Sequence, residues 1–102
     1  MIDAGQPWDW RTALQRAWDF AEFNPYWIEE PLHHEDLDGY ARLTAASPVE
    51  IAGGEREATY AGFERYIVED GVDWVQVAPD RCGISLMVEI GRLAARSEVK
   101  SA

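Results

Sequence analysis

Tyr26-Trp27-Ile28-Glu29-Glu30-Pro31 is the stretch on which the fold turns. Two aromatics and a β-branched residue in succession favour an extended, half-buried backbone. The two acids and the proline close that strand, because proline has no N–H with which to continue a ladder. Upstream, Asn24-Pro25 ends a helical run from Arg11 to Phe23, in which Leu14, Ala17, Trp18 and Ala21 recur at three- and four-residue spacing. Downstream, Glu35 to Ala46 repeats the helical pattern with Leu37, Tyr40, Ala41 and Leu43, and Ser47-Pro48 stops it. A strand between two amphipathic helices, joined by short turns, is the repeating unit of a parallel α/β sheet.

The same unit recurs on either side. Met1 to Asp3 reads as the end of one strand, and Val49 to Ala52 as another that closes on Gly53-Gly54-Glu55. Thr59 to Glu69 is predicted helical, with Phe63, Tyr66 and Ile67 inward, and Asp70-Gly71 is the turn after it. Val72 to Val77 is a nearly continuous apolar strand, the pattern of a strand covered on both faces. Ile84 to Ala95 is the last predicted helix, and Ser97 to Ala102 is read as a tail without an element.

Asp3, Glu29 and Glu55 follow one another at equal intervals of 26 positions. A (β/α)8 barrel of roughly 250 residues spends about 30 on each unit, so 102 residues hold four units. The expected fold is α/β: one domain over residues 1–102, with four consecutive βα units forming half of a TIM-type barrel with parallel strands. The competing arrangement is an open, flavodoxin-like sheet.

Composition narrows the function classes. Net charge is −10, which disfavours nucleic acid and anionic lipid because no surplus cations replace the counterions on phosphates. Cys82 is the single cysteine, so no intrachain disulfide or cysteine-rich zinc site forms. No apolar run approaches the roughly 20 residues that span a bilayer, and the N-terminus lacks a signal-peptide pattern. A cytoplasmic protein is expected. Five tryptophans in so short a chain call for extensive apolar burial, within the chain or against a partner.

Asp3, Glu29 and Glu55 each fall at the end of a predicted strand, and a parallel barrel gathers those ends on one face. Carboxylates brought together there repel one another unless a cation is shared, and Mg²⁺ suits oxygen ligands with open water positions. Spacing leaves the alternative open that each acid caps a helix or faces solvent. His33 and His34 follow Pro31 in a predicted loop, where adjacent side chains point apart; an exposed, helix-capping pair is the expectation. Lys100 is expected to be a solvated charge in the tail.

Met1-Ile2-Asp3-Ala4-Gly5, Tyr26-Trp27-Ile28-Glu29-Glu30-Pro31, Ala52-Gly53-Gly54-Glu55 and Val72-Asp73-Trp74-Val75-Gln76-Val77 resemble consecutive strands of the mandelate racemase and muconate lactonizing branch of the enolase superfamily. The resemblance covers almost the whole chain and corresponds to barrel strands three to six. It implies that Asp3, Glu29 and Glu55 match the family's three ligands of a Mg²⁺ ion, and that this ion holds a substrate carboxylate while the α-proton is removed. Glu30 is then either an acid that orients the ligands from behind or a surface acid paired with a neighbouring loop.

The departures from the family pattern are equally specific. The strands that carry a Lys-x-Lys base or a catalytic histidine, and the domain that caps the substrate, have no counterpart here. Ala78 stands where many members place an aspartate, and Gly5 where an asparagine is usual, which weakens a hydrogen bond beside Asp3. Trp74 stands where a smaller aliphatic is normal, and by alternation it shares the inward face with Gln76 and Ala78. Trp74 and Ala78 are therefore candidate interface positions. Two readings result. One is an excised, engineered half-barrel of a Mg²⁺-dependent acid-sugar dehydratase or racemase, keeping the ligands without turning over alone, its small carboxylate substrate belonging only to the parent family. The other is a designed scaffold that forms a homodimer through its open barrel face, the acids being vestigial.

Overall fold

A computed structural model of the chain describes residues 1–69 and 71–102; Asp70, in the turn expected after the third helix, lies outside the described residues. Among the described residues nine elements follow one another: β1 (Ile2–Asp3), α1 (Trp10–Ala21), β2 (Ile28–Glu29), α2 (Leu37–Ala46), β3 (Ile51–Gly53), α3 (Tyr60–Val68), β4 (Trp74–Val75), α4 (Pro79–Arg96) and β5 (Lys100–Ser101). The strands form one parallel sheet in the order β1-β2-β3-β4-β5. A flavodoxin-like sheet needs a reversal of strand order, and none occurs among the described residues. Parallel strands paired in sequential order are the winding of a barrel.

Local chemistry fixes the helix starts. Asp9 Oδ1 accepts from the Thr12 N–H at 2.8 Å, Asp36 Oδ1 from Gly39 at 3.0 Å, and Thr59 Oγ1 from Gly62 at 3.1 Å. Each oxygen satisfies a donor that the first turn leaves without a helical partner. α4 begins at Pro79 rather than Ile84, since proline at the first helical position loses nothing by lacking an N–H. Gly83, at φ +77°, bends the chain within it. Ala78 is the cap residue of α4, its carbonyl accepting from Arg81 and Cys82, so the alternation that placed it beside Trp74 and Gln76 stops short of it.

Ile28, Ile51 and Val75 are buried on the helix-covered face, where Tyr40, Leu43, Phe63, Ile67 and Ile90 complete the core. The Tyr40 hydroxyl donates to the Leu32 carbonyl at 3.0 Å, and its ring meets Tyr66 edge-on at 5.5 Å. On the other face, register aligns Asp3, Glu29, Ala52, Trp74 and Lys100 across the five strands.

β5 corrects the expected tail, and with it the reading of Lys100. The Lys100 N–H donates to the Asp73 carbonyl and the Ala102 N–H to that of Val75, each at 3.0 Å. The Lys100 ammonium pairs with the Glu50 carboxylate and sits 5.0 Å from the centre of the Trp74 ring. The Trp74 indole N–H donates to the same carboxylate, and its ring packs within 5.0–5.4 Å of Trp27 and Tyr26. The bulk of Trp74 thus has a local reason, as the floor between Glu50, Lys100 and two aromatics. Five strands also change the assembly arithmetic: two copies would bring ten strands, not the eight that close a TIM-type barrel.

Lys100 first, then the Trp74 indole, hold the Glu50 carboxyl below its ordinary 4.5. A lowered acid stabilises the fold above its ordinary range and loses that contribution as pH falls through its folded value. In urea denaturation the wild type should exceed Glu50→Gln in stability near pH 7, the gap closing as pH falls below the ordinary carboxylate range; a gap independent of pH would contradict the arrangement.

Candidate metal centre

Parallel pairing puts Asp3 and Glu29 side by side as the last residues of β1 and β2. β3 ends at Gly53, so Glu55 lies two residues beyond its strand rather than at its end. The intervening Gly54 has φ +109°, and a Cβ there would stand 3.1 Å from the Gln76 carbonyl oxygen. Only glycine lets the loop pass over β4 at that distance and return Glu55 towards the rim.

Glu30 is the most constrained residue of this rim. Its φ of +43° is unusual for a side-chain-bearing residue, a conformation that costs of order 1–3 kcal/mol. The carboxylate it positions is 3 % exposed. Its Oε1 accepts from Gln6 Nε2 at 2.6 Å, and the Arg56 Nε–H lies 3.3 Å from Oε1 and 3.2 Å from Oε2. Gln6, also at positive φ (+67°), receives the His34 N–H on its own Oε1 at 3.4 Å. One buried acid therefore ties the loops after β1, β2 and β3 together. Glu30 is salt-bridged to the neighbouring loop, as one expectation had it, but it is buried rather than at the surface.

The other acids have partners of their own. Asp3 is exposed, its Oδ1 accepting from the Gly5 N–H at 3.1 Å. Gly5 has φ +69°, so the glycine expected to weaken this neighbourhood supplies a bond from its backbone instead. Glu29 is buried, with Oε2 accepting from the Trp27 indole at 3.1 Å. Burial, then the charges of Glu30 and Glu29, push the Glu55 carboxyl above its ordinary value. The Arg56 guanidinium, held protonated chiefly by Glu30, also feels Glu55 and Asp3. Among the described residues no three His, Cys, Asp or Glu side chains are gathered as a cage for a metal ion. The donor set nevertheless fits a hard divalent cation. It is all carboxylate oxygen, and the mutual repulsion of Glu29, Glu30 and Glu55 is what such a cation relieves.

His33 and His34 lie in the loop after β2, as expected, but their rings stack at 4.4 Å instead of pointing apart, because residues 33–36 form a turn closed by the Asp36 N–H on the His33 carbonyl. Sequence reasoning missed Gln6 and Arg56. The signal was adjacency, since Arg56 directly follows Glu55 and Gln6 lies three residues past Asp3.

A raised carboxyl weakens the fold once it ionises, so its removal should help most above the ordinary carboxylate range. Without added metal, Glu55→Gln should be more stable than wild type near pH 7 and equal to it near pH 4 by chemical denaturation. A variant less stable near pH 7 would mean that the acids do not repel one another as placed.

Residues 1–102 match the enolase C-terminal domain-like family. The chain is 41 % identical over 97 residues to L-talarate/galactarate dehydratase of Salmonella typhimurium, covering 94 % of this chain and 24 % of that protein. It is 36 % identical over 94 residues to D-galactarolactone cycloisomerase of Agrobacterium fabrum, covering 92 % and 24 %. The solved structure of the Salmonella dehydratase superposes with a TM-score of 0.94 at 39 % identity, over 99 % of this chain and 26 % of that one. That of L-talarate dehydratase from Polaromonas sp., complexed with Mg and L-glucarate, does so with a TM-score of 0.94 at 33 % identity, over 99 % and 28 %. The chain spans about a quarter of the length of these curated relatives. It belongs to the enolase C-terminal domain-like family, as an α/β segment of that family's TIM-type barrel with five parallel strands and four helices.

Proposed function

We propose that the chain supplies the cation-holding rim of a Mg²⁺-dependent site for acid sugars, of dehydratase or cycloisomerase type, with Asp3, Glu29 and Glu55 as the ligands. The observation that carries this reading is the juxtaposition of Asp3 and Glu29 at neighbouring strand ends, with Glu55 turned back to where Glu29 and Glu30 raise its carboxyl. A structural relative that holds both Mg and L-glucarate supports the ion and the substrate class. When bound, Mg²⁺ neutralises a substrate carboxylate and steadies the negative charge that develops beside it.

This chain's own residues bind and orient rather than move protons. Glu30, Gln6 and Arg56 fix the loops that carry the ligands. Lys100 is committed to Glu50 and Trp74, and His34 to Gln6, so neither is set as the base that α-proton removal requires. The chain by itself is therefore expected not to turn over.

A second reading, association through the open inner face, is favoured by Tyr26, 65 % exposed beside half-buried Trp27 and Trp74, and by β1 and β5, each with one neighbour in the sheet. Unpaired edges and exposed aromatics drive self-association. Light scattering over a concentration series would give a stable dimer mass if this reading holds and a monomer mass if it does not.

Calorimetric titration with MgCl₂ tests the first reading. Saturable heat for one ion per chain is expected, lost on Glu29→Gln or Glu55→Gln and weakened on Asp3→Asn. Absence of heat in the wild type, or undiminished heat in Glu55→Gln, would contradict it.

A further inference from the structure

Glu30 is a further carboxylate beside the candidate ligands: it follows Glu29 directly, and its ion-pair partner Arg56 directly follows Glu55. Nothing about its chemistry excludes it from ligating a cation. Its surroundings do: both oxygens face the Arg56 Nε–H and Oε1 also takes the Gln6 amide, within a site 3 % exposed. The dependence runs both ways. The hydrogen bonds and ion pair that Arg56 makes among the described residues all go to Glu30, while its side chain remains 45 % exposed. A half-exposed arginine spent on one buried acid beside an acidic rim neutralises that acid in particular.

We propose that Arg56 sets which divalent cation the rim accepts, by holding Glu30 out of the ligand set. The inference rests on Asp3, Glu29 and Glu55 being the ion-binding acids. Mg²⁺ is small, demands near-ideal octahedral geometry, keeps several waters and takes few carboxylates, whereas Ca²⁺ takes 6–8 oxygens at longer distances in flexible geometry. Three acids with water positions left open suit the first ion. A fourth acid, released from its ion pair on the loop beside Glu29, adds oxygens and negative charge and suits the second. Arg56, through Glu30, is thus a specificity-determining residue that touches no ligand.

The test is a pair of titrations, MgCl₂ and CaCl₂, on the wild type, Arg56→Gln, Glu30→Gln and the double variant, each first checked for fold by circular dichroism. Arg56→Gln should move the Ca²⁺:Mg²⁺ affinity ratio towards Ca²⁺ by about tenfold or more, the scale on which groups behind metal ligands act. The double variant should return the ratio to the wild-type value, because the released acid is gone. Glu30→Gln should leave the ratio unchanged, since a withheld acid ligates neither ion, and this arm stands even if Arg56→Gln fails to fold. An unchanged ratio in folded Arg56→Gln, or a ratio in Glu30→Gln shifted tenfold away from Ca²⁺, would overturn the proposal. Wild-type protein that binds no Mg²⁺ would instead defeat the ion-site reading. In that event Ca²⁺ binding gained in Arg56→Gln and lost in the double variant would still uphold the release of Glu30, and its absence would overturn that as well.

Discussion

Parallel pairing of five short strands in their order along the chain is the constraint on which everything else depends. It sends every strand end to the same rim, so residues 26 positions apart in sequence become neighbours in space. The strands are only two or three residues long, and their side-to-side order is enforced less by ladder hydrogen bonds than by what covers them. On one face Ile28, Ile51 and Val75 bury against α2, α3 and α4. On the other, Trp27, Trp74, Glu50 and Lys100 form a mixed floor in which each polar group has a partner.

The rim itself is built against local preference. Glu30 and Gln6 both occupy a backbone region that disfavours side chains, and Glu29 and Glu30 act against the ionised form of Glu55 more than Arg56 offsets. Strain and repulsion of this kind persist only where surrounding contacts over-determine them, and they gather at sites whose geometry matters for something other than stability. The bonds that over-determine this rim are those of Glu30 to Gln6 and Arg56. They join three loops through one buried carboxylate, so the segments that carry Asp3, Glu29 and Glu55 are coupled.

Periodicity in the sequence reached the four helices and the parallel order because those signals are local: apolar spacing and the breakers Pro25 and Pro48. The predicted strands ran longer than the observed ones, since aromatic and β-branched runs such as Tyr26–Ile28 mark extended backbone and not pairing. β5 was invisible for a physical reason. Lys100-Ser101 has no apolar alternation, and its place is set by Glu50 and Trp74, far back in the chain. α4 begins earlier than the apolar spacing from Ile84 indicated, because Pro79 opens it at the first helical position. Asp3, Glu29 and Glu55 were singled out by equal spacing and flanking motifs, whereas Gln6 and Arg56 were not, because nothing in sequence says that Glu30 turns inward at φ +43° to meet them.

A crystal structure grown with Mg²⁺ would test the rim most directly. The arrangement described predicts the ion bound by Asp3, Glu29 and Glu55 with oxygen distances near 2.0–2.1 Å, and Glu30 still held by Arg56 and Gln6. An ion seated elsewhere, or one that draws Glu30 off Arg56 to become a ligand, would contradict it.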